Sequence, residues 1–200
     1  MPRKLHHAND APVVKSALER FFKSKGVDMN APKFYIIVIF GSACDDETSN
    51  VLIPKCNAIY SNLKANPPVK RIRGQMKQCH AEFLYVPLDN NKAALKSVES
   101  KAKFHVVPFH DSLRKVLIEK CLKSPEDSCT VVLDYHRTML QGGDKDVAKA
   151  IIKDTNEGKN FPYDNFDGTS AALPGSLLGD VIVSRVTSII LSIFSLRRSH

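Results

Sequence analysis

The sequence predicts an α/β fold: a mixed central sheet covered by helices on both faces, in three layers. Three observations carry this reading. Two apolar runs, "KFYIIVIF" at 33–40 and "EFLYVPL" at 82–88, are short and rich in β-branched and aromatic residues, as strands buried on both faces are. Segments with helical spacing lie between the strands, long enough for crossover connections. "CTVVLD" at 129–134, then "YHR" and "TMLQ", reads as a strand, a turn and a returning strand. Strands joined by helical crossovers are expected to be parallel, and the final hairpin antiparallel.

The elements follow in order. "DAPVVKSALERFFKSKG" predicts an amphipathic helix, with Asp10 as cap, Pro12 in the first turn, an apolar face of Val14, Leu18 and Phe21 or Phe22, and Gly26 as its end. The strand at 33–40 leads into a helix over 47–64, with Leu52, Cys56, Ile59, Tyr60 and Leu63 near helical spacing and Pro54 expected to kink it. The stretch "ANPPVKRIRGQMKQCHA" predicts a loop, with Cys79 inside it. After the strand at 82–88, "DNNKAALKSVESKAK" predicts a helix capped by Asp89. "FHVVPFHD" is extended, because each proline disfavours the helical region for its predecessor. "DSLRKVLIEKCLK" predicts a helix capped by Asp111 or Ser112, and "DKDVAKAIIKD" a last helix capped by Asp144.

The boundaries follow: an N-terminal leader and helix at 1–32, the α/β domain at 33–163, and a linker and apolar segment at 164–200. The 200-residue length, 43% hydrophobic and 25% charged, suits one globular domain with a real core. The net charge of +8 permits an anionic partner without demanding one. Five cysteines, an odd count without a pairing pattern, point to a reducing compartment. "MPRKLHHAND" contains no apolar h-region, so no secretory signal is expected.

Four stretches, in order, resemble the tryparedoxin and nucleoredoxin branch of the thioredoxin superfamily. "FYIIVIFGSAC" is similar to the strand leading into that family's Trp-Cys-x-x-Cys corner. "FLYVPLDNNKAAL" resembles the strand-Asp-helix segment after it. "FHVVPFHD" is similar to the Pro-Phe-acid stretch, and "IKDTNEGKNFPY" to the closing segment. The resemblance covers about residues 33–163 and implies a thioredoxin-like three-layer sandwich and thiol-disulfide oxidoreductase ancestry. It implies Cys44 as the redox cysteine, but Ala43 stands where the family has tryptophan and Glu47 where it has the resolving cysteine. Cys129 stands where it has the cis-proline.

The chemistry of this corner is weighed against its neighbours. A helix N-terminus favours a thiolate. Asp45, Asp46 and Glu47 supply like charge, which disfavours it, and can take over the helix end themselves. A lone thiol forms a mixed disulfide but cannot release it internally. In the implied fold Cys129 lies beside the corner, so a disulfide or shared metal between Cys44 and Cys129 stands against a simple core role for Cys129. Cys56 and Cys121 read as core.

No other motif carries chemistry. The histidines show no zinc spacing, no Gly-rich phosphate loop is present, and no cofactor is expected. Lys70, Arg71, Arg73 and Lys77 form a basic run that reads either as a solvated face or as a patch for an anionic partner. It holds no aromatic for base stacking, which argues against nucleic acid. The segment 177–200 is apolar, but Arg185 and Asp180 interrupt the roughly 20 apolar residues a spanning helix needs. It reads as a segment docked on the domain or a second subunit, as a membrane-surface or short tail-anchor segment flanked by Arg197 and Arg198, or as an extension. The expected function is a binding or regulatory module with a protein partner and a degenerate redox site, in the cytoplasm or nucleus. The alternative is a monothiol oxidoreductase acting through Cys44 with an external thiol.

Overall fold

The computed structural model describes residues 10–31, 33–72, 75–122, 128–135, 139–141, 145–155, 157–158, 161 and 163, all in the unit Met1–Asn165. The side chains of residues 10, 11, 70–72, 139–141, 145 and 146 are outside this description, as is the whole of 164–200.

The fold is α/β, with a mixed sheet between two helical layers. Its elements are α1 (Asp10–Ser24), β1 (Lys33–Gly41), a π-helical turn (Thr48–Leu52), α2 (Ile53–Ala65), β2 (Val69–Ile72), β3 (Gln75–Pro87), α3 (Lys92–Lys101), β4 (His105–Val106), α4 (Ser112–Cys121), β5 (Cys129–Asp134), β6 (Met139–Gln141) and α5 (Lys145–Lys153). The strand order is β2-β3-β1-β5-β6, with β4 on the outer edge of β3. β1 is central and parallel to β3, pairing Phe34 with His80 and Gly41 with Pro87.

β1 is buried along nearly its whole length because both faces are covered. Period-2 alternation divides it. Tyr35, Ile37 and Ile39 enter one core with α2, α3 and α5, including Ile53, Ile59, Val98 and Ile151. Phe34, Ile36, Val38 and Phe40 enter the other with α1 and α4, including Leu18, Phe22, Leu113 and Leu117. The helix that the sequence sets apart within 1–32 thus shares a core with the central strand. Each large apolar side chain so buried contributes roughly 1.5–3 kcal/mol relative to exposure.

Several expectations change. β5 is antiparallel to β1, not parallel, with Cys129 opposite Phe40 and Asp134 opposite Tyr35. The crossover rule holds where the connection returns the chain to the end of the sheet it started from. The segment after α4 instead delivers it to the end where β1 leaves. The hairpin of β5 and β6 is antiparallel as expected. The stretch read as a loop, residues 65–81, is largely an antiparallel hairpin of β2 and the first third of β3, with Val69 opposite Gln78. Its polar residues hide the strand pattern because this end of the sheet is exposed. Cys79 is accordingly a buried strand residue.

Pro54 does interrupt the helical run, as its place in the sequence predicts: the backbone is helical from 46 to 65, Leu52 before α2 is already in the α region, and the turn ahead of Pro54 widens to a π turn, which accommodates the missing N–H. The preceding π turn closes with the Ile53 amide donating to the Thr48 carbonyl. Asn91, not Asp89, caps α3, accepting from the amides of Ala93 and Ala94 at 3.1 Å each. Asp111 caps α4. Asp144 lies outside the described residues. Among the described residues, no helix is long and apolar enough to cross a membrane.

Candidate functional site

The corner where β1 ends is built on Gly41. A Cβ there would meet the Thr48 methyl at 3.1 Å, so glycine lets the helix start close against the strand. The Tyr85 hydroxyl donates to the Gly41 carbonyl at 2.8 Å. Burial, then the charges of Asp89, Asp45 and Cys44, push the Tyr85 phenol up, so it stays a donor at neutral pH.

Asp89 leaves β3 and reaches across to the corner. Its Oδ2 accepts from the Ser42 hydroxyl at 2.5 Å and from the Ala43 amide at 2.7 Å. Burial opposes its ionisation, but the hydrogen bonds from Ser42 and from the amides of Asn91, Ala43 and Cys44 outweigh that and hold its carboxyl below the ordinary range. Arg114 fastens the same loop from α4, donating to the carbonyls of Pro87, Leu88 and Asp89.

Cys44 is exposed on this frame. Asn91 Oδ1 is held by the start of α3, which turns its Nδ2 toward Cys44, where it donates to Sγ at 3.3 Å. Asp45 Oδ2 accepts from the Thr48 amide at 3.1 Å and from the Thr48 hydroxyl at 2.5 Å. Asp46 and Glu47 follow, exposed, as the first helical residues. The helix end is therefore closed by a carboxylate, and Cys44 stands outside it.

The structure does not join the two cysteines singled out together. None of the five cysteines is in a disulfide. Cys129 is buried in the core between the sheet and α1 and α4, whereas Cys44 is exposed against Asn91. Cys129 does share the lining of one cavity with Asp45 and Glu47. Among the described residues, no group of three or more His, Cys, Asp or Glu side chains could hold a metal. Cys56 is fully buried, and burial pushes its thiol up strongly, in keeping with a core role.

Of the basic run, Lys77 is half-buried and lies opposite Lys70 in the hairpin. The side chains of Lys70 and Arg71, and all of Arg73, lie outside the described residues.

Sequence reasoning missed the cluster at Glu82. This residue, 2% exposed, accepts from Tyr60 Oη at 2.8 Å, from Lys64 Nζ, and lies 3.4 Å from His105 Nε2. Burial opposes its ionisation, and the hydrogen bonds from His105, Lys64 and Tyr60 overcome that and lower its pKa. Burial and then Glu82 push the Tyr60 phenol up. An acid at the head of the apolar run "EFLYV" was the available signal.

Compared with protein-family models, with curated proteins and with solved structures, the chain finds no match in any of the three.

Proposed function

We propose that the chain is a thioredoxin-like protein of the nucleoredoxin and tryparedoxin type with a degenerate redox corner, acting as a non-catalytic binding or regulatory module for a protein partner in the cytoplasm or nucleus. The sheet is compatible with that fold: β1 parallel to β3, antiparallel to β5, and closed by a hairpin. The observation that carries the functional reading is the capture of the Thr48 amide and hydroxyl by Asp45. An acid holds the helix-end donors that would otherwise favour a thiolate, and Glu47 stands where a resolving thiol is needed. The test is turnover of a protein-disulfide substrate such as insulin with dithiothreitol, by wild type and Cys44→Ser. Equal, background-level rates are expected. Turnover that vanishes in Cys44→Ser would overturn the reading.

One observation favours the monothiol alternative: Cys44 is exposed, and Asn91 Nδ2 donates to its sulfur at 3.3 Å, which holds the sulfur at the surface of the corner. In that chemistry the Cys44 thiolate attacks one disulfide sulfur, the S–S bond breaks, and the leaving sulfur departs with the electron pair and takes a proton. Glutathione thiolate then cleaves the mixed disulfide, releasing Cys44 and carrying the first substrate sulfur as a glutathione mixed disulfide. Cys44-dependent turnover that requires glutathione distinguishes this route. Contacts of a partner, membrane or second subunit through 177–200 rest on residues outside those described.

A further inference from the structure

β2 is the last strand on its side of the sheet, and among the described residues no strand pairs with its outer edge. The hairpin fixes which backbone groups that edge offers. The Cys79 amide donates to the Pro68 carbonyl at 2.7 Å, so Pro68 and Cys79 face each other as a hydrogen-bonded pair. Antiparallel ladders alternate, so Lys70 and Lys77, two steps on, exchange both of their bonds. Val69 and Arg71 lie between such pairs, and their N–H and C=O groups turn outward to the open edge.

The same hairpin has one sign of charge. Residues 65–81 contain Lys70, Arg71, Arg73 and Lys77 and no acid. The register sets Lys70 directly opposite Lys77, a like-charge pair that weakens the hairpin. Lys77 has no ion-pair partner among the described residues. Beside these charges, Val69 is 49% and Met76 67% exposed, among the few large apolar side chains that the described fold leaves in water. A basic edge resists pairing with a second copy of itself. That repulsion becomes attraction when the incoming strand is acidic.

We propose that the outer edge of β2 takes up an acidic extended segment of a partner protein as an added strand. The outward N–H and C=O groups of Val69 and Arg71 bond the segment's main chain, and its carboxylates fall at the cross-strand positions of Lys70 and Arg71. In this mode the main-chain bonds supply affinity and the side chains opposite supply selection. Lys70 and Arg71 lie on opposite faces of the strand, so the segment carries acids at successive positions. Residues 65–81 hold no aromatic on which bases could stack, which favours a protein segment over single-stranded nucleic acid. This edge is the docking surface of the binding module proposed above and rests on that reading. Insulin turnover through Cys44 reports on the corner alone, so the two are tested separately.

The test titrates the isotope-labelled full chain with the acetylated peptide TEEVEET and follows the exchange of each backbone amide with water by NMR. Exchange is expected to slow at Val69 and Arg71, while Lys70, already bonded to β3, stays unchanged. The neutral peptide TQQVQQT should bind roughly fivefold or more weakly, the factor two cross-strand charge pairs supply. A fully N-methylated TEEVEET keeps the charge, loses the main-chain donors and should not bind. Arg71→Pro removes an outward N–H at an edge position where proline is tolerated, and Arg71→Gln removes the charge alone. Arg71→Pro should weaken binding more than Arg71→Gln, with thermal melts showing both variants folded. Unchanged exchange at Val69 and Arg71 in millimolar peptide, equal binding of the neutral or N-methylated form, or tighter binding of a thymidine oligonucleotide than of the acidic peptide would each overturn the proposal.

Discussion

Asp45 Oδ2 lies 2.5 Å from the Thr48 hydroxyl and 3.1 Å from the Thr48 amide nitrogen, closing the helix that starts at the end of β1. This is an N-cap bond, and its loss should cost about 0.5–2 kcal/mol. Asp45→Ala is therefore expected to lower the unfolding free energy from urea denaturation by that amount, while Asp45→Asn keeps most of it. Asp45→Ala should also speed alkylation of Cys44, because it frees helix-end donors and removes a neighbouring negative charge. An unchanged alkylation rate would mean that the cap has no hold on the thiol.

The Glu82 cluster should show itself in acid. Its folded pKa is depressed, so its stabilisation is present above the unfolded glutamate value near 4.3 and is lost as pH falls toward the folded value. Glu82→Gln should cost roughly 1.5–3 kcal/mol at neutral pH, the range for hydrogen bonds to a charged group. That deficit should shrink as pH drops below about 4. Urea midpoints at pH 7, 5, 4 and 3 measure it, and a deficit that stays constant to pH 3 would assign the loss to packing alone.

The central strand and the first and fourth helices were legible because their apolar periodicity has one cause, burial against a neighbour. The run at 33–40 could only be a strand covered twice, and the faces of Tyr35 and Phe34 follow from alternation. The hairpin at β2 and β3 was not legible, because the start of β3 at Gln75–Gln78 is mostly exposed and has no apolar face to announce it, and "VKRI" reads as a charge run. The sense of β5 was misread because sequence shows a connection's length and not the end of the sheet to which it returns. At the corner, the acids at 45–47 were visible, but the role of Asp89 was not. Beside a helix start it looks like a cap, and only the fold brings β3 close enough for it to bind Ser42 and Ala43 instead.

Gly158 offers a test of the closing segment. Its φ is +103°, and a Cβ would meet Ile59 and Leu63 of α2 at 3.2 Å each. Both causes act in the same direction, strain in a region that L side chains rarely adopt and overlap with a packed helix. Gly158→Ala is expected to destabilise by about 1–3 kcal/mol. Gly26→Ala, at φ +71° with nothing within 4 Å, should cost less. Equal effects in thermal melts would show that the contacts with α2 carry no weight.

The end of the domain is set by a buried carboxylate. Asp154 Oδ2 accepts from the Gly158 amide at 3.1 Å and from the Tyr163 hydroxyl at 2.7 Å, which ties the chain after α5 back to that helix's end. Phe161 and Tyr163, 4% and 3% exposed, then complete the core that α2 and α5 share. A chain ending at Asn165 keeps all of these contacts and should melt within a few degrees of the full protein. A chain ending at Asp154 loses two buried aromatic side chains, roughly 1.5–3 kcal/mol each, and the two hydrogen bonds that Asp154 accepts from the closing segment. At about 2–4 °C per kcal/mol for a chain of this size, that is a fall of ten degrees or more. Circular-dichroism melts of the two truncations decide it. If the chain ending at Asn165 is unfolded, the domain needs residues beyond 165. If the chain ending at Asp154 melts like the full protein, the Asp154–Tyr163 bond closes nothing.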